Sequence, residues 1–395
     1  MTAPAILGQL SGLHDMMREL ASSVPAADAN RRFHPQLASL NWYLGRTVFR
    51  ETYWLREVLA DDADLTDRVR DIFTPGALDP DEQCARLPPL DHLLNWAQEI
   101  EDEHLRRLAN PRELPAHPML EADRLQWFLL QETARDYEMM LTVLLARRLA
   151  ESGNDYRVLE RLKTVMPAPE PREVVQGHYR IGSREEPFAY DNELPPQAVE
   201  LASFRIARYP VTNAEYLAFM EAGGYHQTRF WSEDGLRWLN AAGPEAPLHW
   251  RRDDAGRWYG VGLNGAGDLQ PDDPVSGVNQ YEAAAFAAWT AALGGDLGGA
   301  VLQHEYQWEV AARSGLIEGT GRAWEWCANP FHPYPKFTPF PDANVSQAFF
   351  GGGQISLRGA GLHTQRCLRR ASFRNWAAAQ ERHHFAGIRL VFPPA

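Results

Sequence analysis

Seven residues, Met166-Pro-Ala-Pro-Glu-Pro-Arg172, divide this chain into halves that must fold by different rules. Prolines at alternate positions fix φ and remove the backbone donors that a helix or an inner strand needs, so no regular element can run through them. On the N-terminal side the apolar residues keep a helical rhythm from Phe33 to about Leu162. Leu40, Leu44 and Val48 form one series, with Tyr43, Tyr53, Trp54 and Leu55 around it. Leu90, Leu93, Leu94, Ile100 and Leu105 form a second, and Leu130, Ala134, Tyr137, Leu141 and Leu144 a third. Steps of three and four residues bring such side chains to one helix face. Breaks fall at Pro25, at Thr74-Pro75-Gly76, at Pro88-Pro89 and between Pro111 and Pro118. The pattern predicts four or five helices, and a bundle is the natural way to bury several one-sided helices.

Beyond the proline run the texture changes. Most of the glycine and tryptophan lies here, and only residues 214–221 and 281–293 keep clear helical periods. The remainder reads as short strands, such as those near Gly177-His-Tyr-Arg-Ile-Gly and Gly387-Ile-Arg-Leu-Val-Phe, joined by long loops. Loops of that length commonly carry binding or catalytic residues. The expected domains are therefore a helical one over 1–165, a linker over 166–176 and a mixed α and β one over 177–395.

Composition narrows the function. Of 395 residues, 45% are hydrophobic, enough for more than one core. Lys and Arg number 39 against 52 Asp and Glu, a net charge of −13, which disfavours nucleic acid and anionic membrane as partners. No run approaches the ~18 apolar residues of a membrane helix. The N-terminus lacks the basic and apolar regions of a secretion signal. Three cysteines, Cys84, Cys327 and Cys367, are too few and odd in number for a disulfide framework. These features point to a cytoplasmic protein.

The second half resembles the formylglycine-generating, sulfatase-modifying-factor family, a variant of the C-type-lectin-like fold. The matching segments run in order: Gly177-His-Tyr-Arg-Ile-Gly, Phe204-Arg-Ile-Ala-Arg-Tyr-Pro-Val-Thr-Asn, Pro274-Val-Ser-Gly-Val-Asn-Gln-Tyr-Glu, Trp308-Glu-Val-Ala-Ala-Arg, Trp324-Glu-Trp, Leu357-Arg-Gly and Phe373-Arg-Asn. Phe188-Ala-Tyr-Asp-Asn-Glu-Leu-Pro and Gly223-Gly-Tyr with Trp231-Ser-Glu-Asp-Gly are similar to the sulfoxide synthases of ergothioneine and ovothiol biosynthesis. Those enzymes place a DinB-like four-helix bundle before this domain. The resemblance implies that fold for the whole chain. It also implies a non-heme iron, oxygen-dependent oxidoreductase that joins a thiol to a histidine derivative.

The same resemblance implies three iron-ligating histidines in the bundle, one from a Trp-His-Leu-Gly-His-Thr-like stretch and two at i and i+4 on a later helix. Here the first stretch is Trp42-Tyr43-Leu44-Gly45-Arg46-Thr47, and the second places Gln131 and Arg135 at the ligand positions. Arginine offers no lone pair to a metal. The family's iron is therefore expected to be absent, with Glu51, Glu132 and Asp136 as fallback ligands or as partners of neighbouring arginines. Arg46 and Arg135 would otherwise form an anion site or an internal ion-pair network. His14, His34, His92, His104 and His117 fall at no ligand spacing and read as surface or capping residues.

Further roles follow from the resemblance alone. Arg86, in Ala85-Arg86-Leu87-Pro88, matches an arginine that holds the thiol substrate's carboxylate. Tyr334, in Pro330-Phe-His-Pro-Tyr334-Pro-Lys-Phe, matches a proton-donating tyrosine, and Arg374-Asn375-Trp376 a stretch near the substrate. Each reads equally as a surface, packing or bracing residue. Val301-Leu-Gln-His304-Glu and Gly321-Arg-Ala depart from the family's usual runs. Cys367 with His363 is a conceivable copper pair of the formylglycine-generating type. Two readings result: a divergent enzyme of the sulfoxide-synthase group, or a metal-free pseudoenzyme. The latter would bind a small carboxylate-bearing, thiol or histidine-derived ligand, or a protein partner.

Overall fold

The structure, a computed structural model, describes residues 3–151, 153, 156–184 and 186–394. The chain forms two units. One runs to residue 151 and takes in residues 365–368; the other comprises the rest.

The first unit is built on four long helices, Ala3–Ser22, Leu40–Thr52, Leu90–Ala109 and Arg124–Glu151. The first two each pack against both of the others, which is the arrangement of a four-helix bundle. Ser39 starts the second helix by accepting a hydrogen bond from the Trp42 N–H, satisfying one of the donors that a helix N-terminus leaves open. The core joins Met17, Leu40, Leu44, Val48, Leu93, Ala97, Met140 and Val143. Burying each large apolar side chain contributes roughly 1.5–3 kcal/mol. Gly45 is required by this packing, because a Cβ there would meet the Phe73 ring at 2.4 Å. Just past Thr52 the helix continues as a wider π-helical turn, Tyr53–Val58. The fourth helix ends at Glu151, short of the helical stretch expected to about Leu162. Val158 and Leu162 are instead buried in the second unit, where the Val158 N–H donates to Asp253 at 3.2 Å.

The second unit contains two four-stranded sheets. One has the spatial order Arg172–Val174, Phe204–Ile206, Leu390–Phe392, Val301–Leu302. The other has the order Asn375–Ala378, Gln354–Gly359, Trp324–Pro330, Ala386–Gly387. Helices Asn213–Glu221 and Gln280–Ala292 begin within one residue of expectation. Both starts are capping boxes: Thr212 with Glu215, and Asn279 with Glu282, each exchange side-chain and backbone hydrogen bonds. Between the elements run long loops, held by three arginines with at most 1% exposure: Arg358, Arg374 and Arg389. Each meets a glutamate buried as deeply. Arg358 donates to Glu309 at 2.6 Å, Arg374 to Glu305 at 2.7 and 2.8 Å, and Arg389 to Glu325 at 2.8 Å. Among the described residues no helix is long and apolar enough to cross a membrane, and none of the three cysteines forms a disulfide.

Candidate functional site

Arg46 lies in the first unit at the position that the family resemblance gives to an iron ligand. Its Nη1 donates to Asp136 at 3.1 Å. Arg50, one turn on and therefore on the same face, reaches Asp136 at 2.8 Å and Glu132 at 3.6 Å. Thr47 donates a weaker bond to Asp136 at 3.4 Å. The i, i+4 pair that meets Arg46 and Arg50 is thus Glu132 and Asp136, one residue along from Gln131 and Arg135. A residue turns the helix by about 100°, so that single step changes which chemistry faces the arginine. Gln131 is buried and bonds back to the Trp127 carbonyl at 3.2 Å. Arg135 pairs with Glu132 at 3.1 Å and keeps 27% of its side chain exposed. The result is an internal ion-pair network.

Glu51 does not join it. Five residues from Arg46 place Glu51 about 140° around the helix, where it meets two histidines. His14 Nε2 donates to one carboxylate oxygen at 2.7 Å and His104 Nδ1 to the other at 3.1 Å. Burial alone would raise the Glu51 pKa; the two imidazoles overcome that and hold it at about 2. Glu101 lies beside them, 4.0 Å from His14 Nδ1, and pairs with Arg18. All four residues are at most 1% exposed, so His14 and His104 are core residues and not the surface or capping histidines expected. His117 does cap, accepting from the Met119 N–H. The one local signal is that Glu101 and His104 stand at i and i+3 on one helix; nothing local links them to His14 or Glu51.

Arg86 is on the surface. It follows the Pro80–Ala85 helix, is 47% exposed and pairs with Glu82 one turn back.

In the second unit, Tyr334 is 2% exposed, in a cluster with Ile181, Trp308 and Val391. Its phenol oxygen has no hydrogen-bond partner among the described residues. Burial drives its pKa far above the usual phenol value, so it holds its proton tightly. Arg374 lies over its ring at 4.3 Å while four of its donors serve Glu305 and the carbonyls of Asn192 and His332. All three nitrogens of that guanidinium are engaged inside the protein, which is the arrangement of a brace. Asn375 is half-buried on a strand, opposite Leu357. His363 packs edge-on against Phe385 with ring centroids 5.2 Å apart.

Residues 160–320 match the family model described as the sulfatase-modifying factor enzyme 1-like domain. That stretch of the chain is similar to such a domain. The chain is also similar to several curated proteins. It is 32% identical over 256 residues to the hercynine oxygenase of Mycobacterium tuberculosis, covering 54% of this chain and 58% of that protein. It is 33% identical over 256 residues to the hercynine oxygenase of Mycolicibacterium thermoresistibile, covering 53% of this chain and 55% of that protein. Similarity to the formylglycine-generating enzyme of Thermomonospora curvata is 31% over 170 residues, covering 38% of this chain and 53% of that protein. These matches span a little over half the length of each relative. Together with the helical first unit they support a sulfoxide-synthase-like organisation.

The iron that this resemblance implies does not fit the residues present in the bundle. A guanidinium stands where a ligand is needed, and the carboxylates opposite it are already ion-paired to Arg46 and Arg50. A dication placed there would have to displace two fixed cations that repel it.

Proposed function

We propose that this chain is a relative of the hercynine oxygenases whose helical unit holds no metal, binds a small carboxylate-bearing ligand there and does not oxidise it. The carrying observation is Asp136, which receives Arg46 and Arg50 together and so closes the position of the family's iron with an ion-pair network. Arg46 and Arg135 keep 28% and 27% of their side chains exposed, so an incoming carboxylate can reach them. Guanidinium is the preferred group for holding such an anion by two parallel bonds. The names of the relatives place histidine betaines first among the ligands to test.

The test combines two measurements. A ligand that binds only the folded protein raises its thermal stability. Hercynine or a related amino-acid carboxylate should shift the melting temperature of the intact chain, and Arg46→Ala should remove the shift. With added ferrous iron, oxygen, hercynine and a thiol, the protein should consume no oxygen above background. Oxygen-dependent formation of a sulfoxide product would overturn the proposal, as would the absence of any shift across the carboxylate panel.

A further inference from the structure

A second set of metal-ligating side chains lies in the sulfatase-modifying-factor domain, on the loop over residues 379–385. The loop joins Asn375–Ala378 to Ala386–Gly387, the two outer strands of one sheet. It is tied down at several points. The Gln280 N–H donates to the Ala379 carbonyl at 3.1 Å, and the Asn279 side chain to the Gln380 carbonyl at 3.3 Å. The Glu381 N–H donates back to Ala378 at 3.0 Å, and the Trp324 N–H to Phe385 at 2.8 Å. A loop fixed in this way presents its side chains with little entropy left to lose.

On this loop Glu381, His383 and His384 converge. Among the described residues, this is the group of His, Cys, Asp and Glu in which one ligand atom from each of three residues lies within 4.8 Å of the others. His384 Nε2 and a Glu381 carboxylate oxygen are 2.9 Å apart, and the two imidazole rings have centroids 4.2 Å apart. The intervening cation is turned away: Arg382 donates twice to Glu282, at 2.9 and 2.8 Å. Its charge is thus neutralised by a carboxylate outside the group. His383 is buried, whereas Glu381 and His384 keep 20% and 16% of their side chains exposed, which gives a small ion a way in.

We propose that Glu381, His383 and His384 bind a divalent transition-metal ion of the iron-to-zinc series. Two imidazoles and a carboxylate suit these ions, whereas magnesium and calcium take oxygen ligands. Bonds of ~2.0–2.2 Å set the ligand atoms of a tetrahedral ion roughly 3.4 Å apart. Small side-chain rotations bring the three atoms to that spacing, with the backbone held by the anchors above. Three protein ligands leave a fourth position open for water or another donor. The site is separate from the ion-pair network of the helical unit and shares no residue with it.

The test is titration of the full chain, freed of metal, with Zn2+ by calorimetry and with Co2+ by visible absorption. We expect one saturable site, with the d–d bands of a low-coordinate cobalt ion. His384→Gln and Glu381→Gln, which alter partly exposed side chains, should each weaken binding at least tenfold. Glu132→Gln, in the helical unit, should leave it unchanged. Absence of saturable Zn2+ and Co2+ binding would overturn the proposal, and so would binding that survives in both loop variants.

Discussion

Tyr334 shows how position and chemistry separate at a single residue. The resemblance assigns it proton donation, yet its hydroxyl is buried and has no hydrogen-bond partner among the described residues. A buried polar atom without a partner costs about 1–3 kcal/mol. Tyr334→Phe should therefore stabilise the protein, by roughly 1 kcal/mol, in chemical denaturation followed by tryptophan fluorescence. A clear loss of stability would show that the hydroxyl is satisfied by a bound molecule. Arg46 makes the complementary case. It pairs with Asp136, one of the carboxylates read from the sequence as a fallback metal ligand or a partner of neighbouring arginines. One step along the helix separates that carboxylate from the arginine at 135.

Among the elements, the second unit's sheets and helices are joined by buried charge. Glu305, first residue of the Glu305–Arg313 helix, meets Arg374 just before the Asn375–Ala378 strand. Burial would raise the Glu305 pKa, and Arg374 instead holds it at about 2. Its contribution is thus present above the ordinary carboxylate pKa and is lost as pH falls toward 2. Arg374→Leu removes the nearer of two guanidiniums and leaves the buried carboxylate only Arg358, at 3.6 Å, as a cationic partner, and should cost about 3 kcal/mol at neutral pH. The lost pairing acts fully only above the ordinary carboxylate pKa, so the deficit should begin to shrink as the pH is lowered to about 4. Urea denaturation at the two pH values checks both. The elements themselves were legible in the sequence: apolar periods gave the bundle helices and the two clear helices beyond the proline run. The braces were not, because Glu305 and Arg374 are 69 residues apart and nothing local links them. Likewise, periodicity shows which face is apolar, but not that His14, on another helix, is buried against Glu51.

Across the whole chain, two kinds of ion pair coexist. The helical unit's Arg46 is 28% exposed where it meets Asp136, while Arg374 and Glu305 in the second unit are 1% and 2% exposed. Mobile ions shorten the reach of electrostatics from about 10 Å at 0.1 M salt to about 3 Å at 1 M, but only where solvent enters. In double-mutant cycles, the Arg46–Asp136 coupling should fall by about half or more over that range, and the Arg374–Glu305 coupling should hold. A change in ionic strength therefore acts on the Arg46–Asp136 pair and leaves the Arg374–Glu305 pair largely untouched. Concentrated electrolyte would thus loosen the pairing at the surface of the helical unit, while the buried braces beneath the loops of the other unit keep their geometry.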